Sequence, residues 1–374
     1  MATVVVTCGS VTAVAEPWHP TRDDDVIESL PVGAPSGLAN GRHSGTLDDA
    51  IVAARASLLL GQRYSDPRQY GYADAMLAPW IGKFPDDLRL IVLAARIQQF
   101  RHDFDGARER LQALLNRDGN QAEATLLLAT IEQVQGHYPE ARSACAHLAG
   151  QGDLLVAITC GAGVASLTGS AQSSADLLQR QLEAAPNAAD ATRLWGWTVL
   201  GEIGVRLGAD DSAASAFAAA LKIDPEDVYA RSAYADLELS RDRPQVALDL
   251  IGDRINADAL LLRAAIAARR AGAANAEELH AAFGERVDEM RRRGDLTHRR
   301  ELARAALELD DDPTAALQLA LDNWQVQREP ADALLVLQAA VATSRNDAAA
   351  EVIAFLQSNR LEDVRMVALI EQLK

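Results

Sequence analysis

Positive charge is scarce in this chain: 36 lysines and arginines stand against 53 acidic residues, a formal net charge of -17 over 374 residues. Phosphate backbones and anionic lipid surfaces are bound by an excess of the opposite sign, so nucleic acid and membrane surfaces are poor partners for it. The surplus favours solubility and basic or neutral partners. Aromatic residues are only 5% of the chain. The three cysteines, Cys8, Cys145 and Cys160, form no CxxC pair, which excludes zinc-ribbon and thioredoxin-like chemistry. Cys145 and Cys160 fall in neighbouring helical stretches. Buried thiols are the reading that the burial habit of cysteine favours, and a disulfide between them is the alternative. No apolar stretch approaches the ~20 residues of a membrane-spanning helix.

Catalytic signatures are missing too. There is no GxxxxGK[ST] loop, no G-x-S-x-G elbow and no HExxH helix. The seven histidines are scattered, without ligand spacing, so no metal or cofactor is expected. Leu154 to Thr159 followed by Gly161-Ala162-Gly163 imitates a dinucleotide-binding turn. It lacks the third glycine, where Ser166 stands. The acidic runs Asp210-Asp211 and Asp310 to Asp312 precede helices, where aspartate caps and meets the positive helix end. Arg291 to Arg293, with Arg299 and Arg300, reads mainly as helix-end charge.

What is present is organised in sequence. Residues 1–15 form an uncharged apolar run ending in Ala13-Val14-Ala15, the small-x-small pattern of a signal-peptidase site without the usual basic start. The run predicts export to the periplasm or beyond, with a cytoplasmic location as the alternative. Residues 16–45, with Pro17, Pro20, Pro31 and Pro35, read as an extended arm. Within it Val26 to Leu30 could dock in a groove, although a plain linker is the simpler account.

From Thr46 the pattern becomes helical and it repeats. Small residues opening every second helix fall at Ala73, Ala107, Ala141 and Ala175, each 34 apart, then at Ala213 and Ala247. Twelve positions earlier stand Gly61, Ala95, Ala129, Gly163, Gly201 and Ala235, in the same phase. Four positions after the alanines come Leu77, Leu111, Cys145, Gln179, Phe217 and Ile251. Aromatics precede the first three alanines as Tyr70, Phe104 and Tyr138. The unit Trp197, Leu200, Gly201, Ala213, Phe217, Pro225 resembles the tetratricopeptide signature W-x2-L-G-x2-Y…A-x3-F…P, with Gly204 in place of the tyrosine.

The resemblance implies an all-α superhelix of stacked helix pairs with a concave face. It covers an array over residues 46–261. Residues 262–374 read as degenerate helical repeats closed by a capping helix from Leu361 to Lys374, with Ala315 and Ala349 again 34 apart. By phase, the first helix of each pair offers Arg89, Arg96, Gln99 and Phe100 to the groove. The following ones offer Thr130 and Gln133, then Trp195, Glu202 and Arg206, then Tyr229 and Asp236. Tryptophan, tyrosine and arginine are common interface anchors. The expected function is a non-enzymatic scaffold that binds another protein or peptide in this groove. The alternatives are a structural, self-associating envelope component and a small-molecule site or enzyme within residues 258–330.

Overall fold

The computed structural model describes Arg22 and residues 45–64, 66–292 and 298–374. The signal-like run, nearly all of the arm with Val26 to Leu30, and Arg293 therefore lie outside the described residues. Nineteen α-helices and no strand occur among the described residues. They pair as α1 (Leu47–Tyr64) with α2 (Pro67–Ile81), α3 (Leu88–Phe100) with α4 (Phe104–Arg117), and α5 (Ala122–Val134) with α6 (Tyr138–Leu148). Next come α7 (Leu154–Ala165) with α8 (Ala171–Ala184), α9 (Asp190–Leu207) with α10 (Asp210–Ile223), and α11 (Val228–Ser240) with α12 (Pro244–Ile251). The last are α13 (Asp258–Ala271) with α14 (Ala276–Arg292), α15 (Arg299–Glu308) with α16 (Pro313–Trp324), and α17 (Pro330–Thr343) with α18 (Ala350–Asn359). The chain closes on α19 (Val364–Gln372).

Local sequence sets these boundaries. Carboxylates cap helix starts: Asp87 accepts from the Arg89 and Leu90 amides at 2.9 and 3.4 Å, and Asp227 from Ala230 N at 2.8 Å. Asp312 caps α16 through the Ala315 amide at 2.9 Å, as expected of its acidic run. Asp210 and Asp211 lie instead in the first turn of α10, and Asp211 accepts from Arg241 at 2.9 Å. Leu154 to Ala165 is helix rather than a strand entering a nucleotide turn.

In the first and fifth pairs a small residue on the first helix lets an aromatic of the second approach. A Cβ on Gly61 would stand 2.7 Å from the Tyr70 ring, and one on Gly201 only 2.5 Å from Phe217. The buried rungs Ala73, Ala107, Ala141, Ala213 and Ala247 are fully enclosed, as are Leu77, Leu111, Phe217 and Ile251. The fourth pair departs from the expected phase. Its buried residues are Ala162, Ser174 and Leu178, whereas Gly163 and Ala175 are only partly covered and Gln179 is exposed. The interval is thus 33 residues from Ala141 to Ser174 and then 39 to Ala213. One residue turns a helix by about 100°, so the slip puts Leu178 in the core in place of an amide. In the eighth pair Ala316 is buried and Ala315 only partly so, whereas Ala349 is fully enclosed at its expected position. Cys145 on α6 and Cys160 on α7 are joined as a disulfide, the alternative that the burial argument had placed second.

Stacking runs on without a break through α13 and across residues 261 and 262, and the coil then meets itself. His298, just before α15, lies 5.8 Å from the Phe100 ring and 6.2 Å from the His102 ring. Arg328 N donates to Val134 O at 2.7 Å, and Phe355 packs 5.8 Å from Tyr138. Ala171 N donates to Glu362 Oε2 at 3.2 Å. The eighth helix pair therefore sits on the second and the ninth on the third, a superhelical turn of six pairs. The final helix covers the core of the last pair through Met366 and Leu373. Its N-cap is Asp363, it packs on α17 and α9, and Val364 meets Gly208.

Candidate interaction surface

The first helices of the pairs line the inside of the coil, because the small rungs bring the second helices to the outside. The side chains expected on this face separate into two groups. The deeper group belongs to α9 and α11. Tyr229 Oη donates to Glu202 at 2.5 Å. Tyr229 is 59% exposed, yet the Glu202 carboxylate, and then its enclosure by the coil, push its hydroxyl pKa well up. Burial raises Glu202, and the Tyr229 hydrogen bond opposes that shift. Asp236 accepts from Arg263 at 2.6 Å and from Arg304 at 2.7 Å, bonds that reach from α11 to α13 and α15. Burial works against its charge, but these two guanidiniums prevail and hold its pKa below the ordinary carboxylate range. Arg300 pairs with Glu329 and Asp332, and Asn323 Nδ2 donates to Asp332 Oδ1 at 2.7 Å. The charged groups of residues 258–330 thus largely satisfy one another across the coil. Arg206 is buried and donates to Ser166 Oγ at 2.6 Å; desolvation lowers its pKa, with Glu202 and Asp363 opposing. Sequence phase offered these residues for the concave face. It did not indicate Arg263 and Arg304 as partners of Asp236; they stand on the first helices of the next two pairs, α13 and α15.

Three other candidates serve packing. Trp195 lies against the cluster around Ala129, Tyr138 and Cys145. Phe100 stacks on Tyr70 with ring centroids 3.5 Å apart, and Thr130 Oγ1 bonds back to Leu126 O at 3.0 Å. Gln99 and Gln133 are half-buried, Gln133 beside Gly163.

The second group lies at the opening of the coil, on α1, α3 and α5. Here a cleft of about 220 Å³ is lined by Arg55, Leu58, Leu59, Leu93, Arg96 and Glu123. Glu123 bridges the two arginines, at 3.4 Å to Arg55 and 3.1 Å to Arg96. Leu59 is 65% exposed, and Val52, seven residues earlier on α1 and outside the cleft, is 68% exposed. Arg89 stands further along the same face, clamped by Asp48 and Asp87 at 2.7 Å each. Arg96 was legible in the sequence. Arg55 stands 34 residues before Arg89 and so in the same phase, but the expected set began at Arg89; Leu58 and Leu59 were not in it. Among the described residues no group of acidic, histidine or cysteine side chains could hold a metal ion, and no helix is long and apolar enough to cross a membrane.

No family model matches the chain, and no curated protein sequence matches it. Solved structures match its shape. The APC/C hetero-tetramer Cut9–Hcn1 does so at a TM-score of 0.52 and 12% identity, over 89% of this chain and 64% of that one. This chain thus spans under two thirds of the length of that match. A Rap protein complexed with competence and sporulation factor matches at 0.50 and 11% identity, over 87% and 99% of the two chains. A tetratricopeptide repeat protein from Parabacteroides merdae is a looser likeness, at 0.41 and 14% identity over 65% and 93%. At such identities a shared shape establishes the fold alone. Paired helices, small rungs at close approach and a period near 34 define that fold as a tetratricopeptide-type superhelical solenoid.

Proposed function

We propose that this chain is an exported interaction scaffold that holds an extended segment of a partner protein in the cleft formed by α1, α3 and α5. The observation that carries the reading is the contrast between the two groups on the concave face. Asp236 is bonded to α13 and α15, Glu202 to Tyr229 and Arg206 to Ser166, whereas the cleft presents the largely exposed Leu59 beside its charged rim. An apolar anchor ringed by polar contacts is the usual anatomy of a binding hot spot. Export is supported by the Cys145–Cys160 disulfide, since such bonds persist in oxidising compartments, and by the apolar run ahead of the small-x-small triplet.

The test is affinity capture from the envelope fraction with the full chain, read by mass spectrometry. Leu59→Asp should abolish capture of the specific partner and leave thermal unfolding unchanged, because the side chain is largely exposed. Asp236→Asn should leave capture intact. The opposite pattern would move the binding site to the interior of the coil.

A further inference from the structure

The cleft has a charge imbalance. Two guanidiniums, Arg55 and Arg96, share one carboxylate, Glu123, so the rim carries a net positive charge on a chain whose total is -17. Its apolar lining is leucine, Leu58, Leu59 and Leu93, of which Leu59 is the one largely exposed. A complementary occupant carries acidic groups beside two or three aliphatic side chains and no basic ones. The chain contains such a segment just ahead of the array, Asp23-Asp24-Asp25-Val26-Ile27-Glu28-Ser29-Leu30, with four carboxylates and three aliphatic residues in eight positions. It lies outside the described residues.

The connection is long enough. Fourteen residues, 31–44, lie between Leu30 and Gly45, where the described array begins. A chain of that length spans at most about 50 Å. The cleft residue Leu58 lies eleven residues along α1 from Leu47, a helical rise of about 16 Å. The connection therefore covers the distance to the cleft.

We infer that residues Asp23 to Leu30 are an intramolecular ligand of the α1–α3–α5 cleft, aliphatic side chains on the leucine lining and carboxylates against Arg55 and Arg96, which a partner segment must displace. The inference rests on the proposed use of that cleft. It adds that a partner segment shares the acidic and aliphatic chemistry of the arm, and that its affinity is lowered by the fraction of time the arm is bound.

The experiment uses the full chain with a photo-crosslinking residue in place of Ile27, irradiated in dilute solution and mapped by mass spectrometry. The expected product is an intramolecular cross-link to Leu58, Leu59 or Leu93, lost in the background of Leu59→Asp. Cross-links between copies, cross-links elsewhere on the chain, or none would overturn the inference. A second arm measures the captured partner's affinity for the chain carrying Ile27→Ser with Asp24→Asn, which should bind about tenfold more tightly than the unaltered chain because the competing arm is weakened. An unchanged affinity for a partner that does need Leu59 sinks the intramolecular ligand and leaves the scaffold reading standing. A cross-link at the cleft, together with a partner indifferent to Leu59→Asp, does the reverse.

Discussion

Two glycines of similar helical setting have opposite uses here. Gly201 admits the Phe217 ring, and any Cβ there would stand 2.5 Å from it with the ring fully enclosed. Gly201→Ala should therefore lower stability by about 2 kcal/mol, the scale of overpacking in a dense core. Gly161, in α7, has open space where a methyl group would stand, with nothing within 4 Å, so Gly161→Ala should stabilise by about 0.5–1 kcal/mol through helix propensity. Chemical denaturation of the two variants side by side checks both signs. Asp236 makes a pH-dependent contribution. Its folded pKa lies below the ordinary value because Arg263 and Arg304 outweigh the effect of burial. A depressed carboxyl adds stability that is present above its unfolded pKa and lost as pH falls through its folded one. The melting temperature should therefore drop below about pH 4, where an unfolded aspartate titrates. In Asp236→Asn that part of the slope should disappear, and neutral-pH stability should fall by about 1–3 kcal/mol because two guanidiniums lose their carboxylate. Gly201 was readable as a rung from its spacing to Ala213. The pairing of Asp236 was not, since Arg304 lies 68 residues away.

Among the elements, the fourth helix pair shows how far periodicity reaches. Ala175 and Gln179 keep the count of 34, but a core tolerates leucine and not an amide, so α8 turns to bury Ser174 and Leu178. The failed apolar match at Gln179 was the sequence signal of that slip. The neighbouring α6–α7 unit is tied by Cys145–Cys160, which closes a 15-residue interval. Loop-closure entropy assigns such a link about 3 kcal/mol. Replacing both cysteines by serine, or reducing the native chain, should lower the melting temperature, and hydrogen exchange should rise first in α6 and α7. Equal melting of the reduced and oxidised protein would show that the link contributes nothing. The acidic helix starts were legible because caps are local. Their allocation among capping, first-turn charge and ion pairs was not, as Asp211 shows by pairing with Arg241 from the next unit.

At the level of the whole molecule the seam between successive turns is the decisive feature. Gly136 has φ +78°, and a Cβ on it would stand 2.7 Å from Phe355, which packs between Tyr138 and Trp324. Phe355→Ala removes that wedge from the seam. The radius of gyration measured by X-ray scattering should increase while far-ultraviolet dichroism stays constant. Unfolding should also lose cooperativity, since a one-dimensional array without its seam melts by parts. An unchanged radius would show that stacking between adjacent pairs alone fixes the pitch.

The sequence by itself determined the helical class, the pair as the repeating unit and most positions of close approach. Each of these depends on interactions between residues within one unit or the next, where spacing encodes geometry. Tertiary structure decided which concave residues remain open. Contacts between neighbouring pairs bring Arg304 to Asp236 and gather Arg55, Leu59, Arg96 and Glu123 around one cleft. The pitch of the coil, a sum of small rotations over six pairs, brings Phe355 to Tyr138. No local pattern records that sum, and so the seam between successive turns emerged only from the coil as a whole.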